Sequence, residues 1–153
     1  MERTIALKSI QTIHIFALFT AMLVISACTN QNLVTNPPSE TSEESPGETY
    51  GFTQFNVAID TKEMKQALTA NYDEKRDKTE AEYENKIEDL YLHGNAAMDK
   101  LDKIFNDLSL EPDMDAEDMV KKASEAFEVI DYTTLKLTIK FKGYDTKEMM
   151  MTK

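Results

Sequence analysis

Cysteine occurs once in this 153-residue chain, tryptophan not at all, and histidine twice. One thiol cannot build a disulfide scaffold. The absence of tryptophan removes the usual aromatic platform of a sugar site, and the tyrosines and phenylalanines fall at core-like spacings. His14 lies in the apolar leader, which leaves His93 as the one candidate base in the remainder. Basic residues are also scarce, 17 against 28 acidic ones, for a formal net charge of −11. A strongly acidic chain repels nucleic acid and anionic headgroups, so nucleic-acid binding is excluded. A run long enough to span a bilayer is missing too. The apolar stretch from Ile13 to Ile25 is interrupted by His14 and Thr20, and a span needs about 20 apolar residues.

What is present at the N-terminus is ordered. Arg3 and Lys8 precede the apolar stretch, small residues follow it, and then comes the only cysteine. A basic start, an apolar centre and small residues before a cut make a secretory signal. Ile25, Ser26 and Ala27 before Cys28 match a bacterial lipobox. There a diacylglycerol is transferred to the thiol and cysteine becomes the first mature residue. The expected division is a cleaved signal over 1–27, lipidated Cys28 with a disordered polar tether over 28–49, and one α+β domain over 50–153. Two acyl chains hold a protein at a membrane without any spanning segment. An acylated Cys28 also leaves no free thiol for nucleophilic catalysis, redox exchange or zinc.

Residues 29–49 hold three prolines, four glutamates, no lysine or arginine, and almost nothing apolar. Such a composition does not offset its ordering entropy. As a coil it spans roughly 25 Å root-mean-square.

The last hundred residues carry the fold. Leu135, Leu137, Ile139 and Phe141 alternate with Lys136, Thr138, Lys140 and Lys142, the period of a half-buried antiparallel strand. Gly143-Tyr144-Asp145 predicts a turn and 147–152 a returning strand. Phe55, Val57 and Ile59 give a shorter alternation. Ala97, Leu101, Ile104, Phe105 and Leu108 recur at helical spacing after Gly94. A second helix is expected from about Asp115 to Phe127, with Asp113 or Asp115 as N-cap. Residues 62–92 fit a helix by the spacing of Met64, Leu68 and Tyr72, and of Tyr83, Ile87 and Tyr91. They also fit a hairpin, with Leu68, Ala70 and Tyr72 on one side and the charged run 73–79 at its tip.

Cys28, the polar linker, the Phe55–Ile59 strand, the helix Ala97–Leu108, and Ala126-Phe127 followed by Tyr132-Thr133-Thr134-Leu135-Lys136-Leu137 resemble the YusW-like lipoproteins of Gram-positive bacteria. The resemblance favours strands over 62–92. It implies a small antiparallel β-sheet with two helices on one face, in the order β-β-β-α-α-β-β. It supplies no catalytic residues.

Other chemistry has little foothold. His93 beside Gly94 reads as a junction residue, since the serines outside the tether and leader are few, with Ser109 and Ser124 among the last hundred residues. The acidic cluster Asp113, Asp115, Glu117 and Asp118 lacks the glycine of an EF-hand loop and suits a helix start. Met149, Met150 and Met151 are adjacent on a strand and point to alternate faces, which suits core filling better than Cu(I). The expectation is a non-enzymatic lipoprotein with no cofactor and no metal, anchored through Cys28 on the extracytoplasmic face of the cell membrane, with an envelope protein as possible partner. The alternative is ligand or cation binding by the acidic surface.

Overall fold

A computed structural model describes residues 31–36 and 46–153 of the protein. Among the described residues, seven strands and two helices follow one another: β1 (Leu33–Val34), β2 (Phe52–Thr61), β3 (Leu68–Lys75), β4 (Lys78–Asn85), β5 (Leu90–His93), α1 (Asn95–Leu108), α2 (Ala116–Ala126), β6 (Tyr132–Phe141) and β7 (Lys147–Thr152). All strand pairs are antiparallel, in the order β1-β4-β3-β2-β6-β7, with β5 also on β4. The class is α+β, as the residue patterns predict.

β2 and β6 make the longest pairing of the sheet, from Phe52 opposite Phe141 to Thr61 opposite Tyr132. Val57 pairs with Leu137 and Ile59 with Leu135, all four buried. A register shift between Phe52 and Gln54 lets Phe52 and Phe55, three residues apart, both enter the core. Strict alternation would have turned Thr53 inward instead.

Residues 62–92 are strands rather than a helix. β3 and β4 meet through the two-residue turn Arg76-Asp77, flanked by the pair Lys75 and Lys78. Neither turn residue has positive φ, so this hairpin needs no glycine. The observed order has two strands beyond those expected. β5 follows a short turn after β4. β1 lies within residues 31–36, which composition assigns to the tether, and so the disordered stretch expected over 28–49 does not hold there.

α1 buries Ala97, Leu101, Ile104, Phe105 and Leu108, and α2 buries Met119, Val120 and Ala123. They join the inward strand residues in one apolar cluster. Its middle is aromatic. Phe105 lies 5.1 Å, centroid to centroid, from each of Tyr50, Phe52 and Phe55. Asp115 occupies the N-cap of α2 without a side-chain capping bond. Glu117 and Asp118 sit in the first turn, where the helix dipole favours negative charge. Met149 and Met151 turn towards the core, while Met150 faces solvent.

Candidate functional site

The lipobox residues Ile25, Ser26 and Ala27 and the lipidation candidate Cys28 lie outside the described residues. The described chain begins three residues on, at Gln31. Residues 31–36 form a strap along the free edge of β4. Ala81 N donates to Asn32 O at 2.7 Å, and Leu33 and Val34 pair with Glu80 and Thr79. Val34 is only 6% exposed and belongs to the apolar cluster.

Asn95, the first residue of α1, holds the end of the strap. Its Oδ1 accepts from Thr35 N at 2.7 Å and Asn36 N at 3.0 Å, and its Nδ2 donates to Thr35 Oγ1 at 2.6 Å. His93 Nδ1 lies 2.8 Å from Asn32 Oδ1 and 3.8 Å from Glu82 Oε1. Gly94 allows the close approach. A Cβ there would stand 2.6 Å from Leu33 O and 2.9 Å from Gln31 O.

His93 is thus a junction residue, as its place beside Gly94 predicts. Ser109 caps the opposite end of α1, roughly 21 Å along the helix. The Ser124 hydroxyl donates to Lys121 O within α2. The three do not assemble a nucleophile and base.

A second clamp holds residues 46–51. Gly47 N and the Tyr72 hydroxyl both donate to Glu74 Oε2 at 2.9 Å. The Tyr50 hydroxyl donates to Asp102 Oδ1 at 2.6 Å, and Lys142 pairs with Glu48. Burial raises both phenols well above their ordinary pKa of 10.0, reinforced by Glu74 beside Tyr72 and by Asp102 beside Tyr50. Both stay neutral in the fold, whereas in the unfolded chain they ionise near their ordinary value. The stability this represents is present below pH 10 and is lost as pH rises above it. We expect the urea midpoint to fall above about pH 10, with Tyr50 and Tyr72 phenolate absorbance appearing together with unfolding. Ionisation of both phenols while the circular dichroism stayed native would contradict this burial.

The outward residues of the strands make a polar surface. Glu80, Glu82 and Glu84 alternate along β4. Lys78 lies 3.1 Å from Glu80, Asn71 donates to Glu82, Thr69 donates to Glu84, and Lys86 lies 3.6 Å from Glu84. Beside this row is a shallow depression of about 410 Å³, lined by Asn56, Ala58, Gln66, Asn71 and Lys136 among others. A larger cleft of about 580 Å³ lies between the helices and the end of β4, with Lys100, Lys103 and Lys122 facing Asp107 and Glu125. Among the described residues, no three His, Cys, Asp or Glu side chains converge as a metal site would require. No helix among them is long and apolar enough to cross a membrane.

Sequence reasoning missed the strap. Its only signal is Leu33-Val34, two apolar residues in a polar stretch. Its partners Ala81, His93 and Asn95 are some fifty to sixty residues away.

A family model described as YusW-like protein matches residues 53–143. No curated protein and no solved structure matches the chain. The matched span runs from β2 to the turn after β6, so β1 and β7 lie outside it.

Proposed function

This chain belongs to the YusW-like protein family, and from that premise we propose that it is a lipid-anchored lipoprotein whose domain serves as a non-enzymatic binding or modulating module outside the cell membrane. The support comes from two places. The leader and lipobox ending at Cys28 supply the anchor. The polar surface of the sheet supplies the interaction face.

Both helices lie against the same face of the sheet, in the order read from the sequence with β1 and β5 added. That leaves the other face bare. It is this bare face that carries the reading. Asn56, Ala58, Thr69, Asn71, Lys136 and Thr138 lie side by side on β2, β3 and β6, with the β4 glutamates along one margin. A flat polar surface with no deep enclosure suits a macromolecular partner better than a small substrate. The lipid confines the domain to the membrane surface, which raises its local concentration near membrane proteins. Cation capture by the acidic surface has less support, because Glu82 and Glu84 already accept bonds from Asn71 and Thr69.

The test is crosslinking in living cells followed by mass spectrometry, comparing the natural chain with Cys28→Ala. A membrane protein captured by the anchored form, and lost in Cys28→Ala, is the expected result. Equal recovery of the same proteins by both forms would reject the tethering mechanism. A melting-temperature rise with one divalent ion, alongside an empty crosslinking result, would turn the reading to ion capture.

A further inference from the structure

We propose that the β1–β4–β5 edge of the sheet is the side of the domain that faces the lipid surface, so that the sheet stands edge-on to the membrane. The inference rests on lipidation of Cys28 and adds an orientation to it.

The first argument is chain length. Only Thr29 and Asn30 separate Cys28 from Gln31, where the described strap begins. Three residue steps at full extension reach about 11 Å. A free tether to residue 49 would impose no orientation at all. The strap therefore fixes the edge beside Gly94 and His93 within a short reach of the acylated residue. β7, at the other edge, lies five strand spacings away, roughly 24 Å.

The second argument is the chemistry of that edge. Leu33 on β1, Ile87 in the β4–β5 turn and Tyr91 on β5 are 39%, 60% and 54% exposed. These are three of the seven large apolar side chains that the described residues expose. A tyrosine, with an apolar ring and a polar tip, suits the headgroup layer. The third argument is charge. Laying the bare face flat on the membrane would press Glu80, Glu82 and Glu84 against anionic headgroups. Laying the helices flat would do the same with the acidic first turn of α2. The edge-on pose turns the β4 carboxylates along the surface rather than onto it, and it holds the first turn of α2, which packs over β6 and β7, away from it.

The test uses the full lipidated protein in vesicles of phosphatidylethanolamine and phosphatidylglycerol carrying a headgroup spin label. A fluorophore is placed at Tyr91→Cys or at Met150→Cys. Both positions are exposed and on the same face, at opposite edges of the sheet. Cys28 is blocked by its own lipid, which mass spectrometry of the N-terminal peptide verifies in each sample. The expected result is quenching several-fold stronger at position 91 than at 150. Adding Asn95→Ala, which removes the three bonds holding the end of the strap, should reduce that ratio.

Equal quenching at both positions, or stronger quenching at 150, on verified lipidated protein would overturn the orientation and leave the anchor intact. An N-terminal peptide without lipid would overturn both.

Discussion

Phe55→Ala is expected to cost about 4 kcal/mol of stability and to lower the melting temperature by on the order of 20 °C. Phe55 is fully buried on the central strand β2. Its ring lies 5.1 Å from Phe105, 5.7 Å from Phe52 and 5.9 Å from Phe127, the last stacked at 14°. It thereby bridges the sheet, α1 and the end of α2. Truncation removes the buried surface and leaves a void lined by rigid rings, which collapse poorly. A domain of this size holds about 5–15 kcal/mol in all, so the loss is a large share. Thermal unfolding followed by circular dichroism checks it. A fall of less than about 5 °C would mean that the rings are not packed as described.

Gly94→Ala is expected to expel the strap and to strain the start of α1. Gly94 has φ of +57° and ψ of −129°, a region that side-chain-bearing residues enter at a cost of about 1–3 kcal/mol. The added Cβ would also meet backbone oxygens on both sides of Asn32, at distances real Cβ atoms do not show. Backbone cannot swing aside as a flexible side chain can. The cheaper relief is for residues 31–36 to leave, which uncovers the edge of β4. Hydrogen exchange is the measurement. The Ala81 amide, bonded to Asn32 O, should lose its protection, while the amides of β2 and β6 keep theirs. Unchanged protection at Ala81 would show that Gly94 is not the point of contact.

The two helices and the closing hairpin were legible because their patterns have one reading. Leu135 to Phe141 alternate strictly, and Ala97 to Leu108 follow a helical stripe. Residues 62–92 were ambiguous for a definite reason. A spacing of four keeps residues on one face of a helix, but it is also even, so it keeps them on one face of a strand. Leu68 and Tyr72 satisfy both, and family resemblance was needed to choose. Tyr83, Ile87 and Tyr91 share no face. Tyr83 is in the core, Ile87 is in a turn and Tyr91 points outward beyond it. Glu80, Glu82 and Glu84 alternate outward along β4, between Lys78 at its start and Lys86 just after it. β1 and the docking role of Asn95 were not legible. Two apolar residues carry no period, and the contacts that order them lie far along the chain.

The strap also gives the protein two working radii. On the lipidation of Cys28 proposed above, residues 31–36 on the sheet would mount the domain within about 11 Å of the lipid. If they leave, the next hold among the described residues is at Gly47, gripped by Glu74, on the order of twenty residues from Cys28, or about 65 Å at full stretch. The volume the domain patrols then grows steeply, and its effective concentration at any one neighbour falls with it. Anything that competes for the β4 edge, whether another strand or a partner's extended segment, would therefore change how far the protein can reach as well as what it holds.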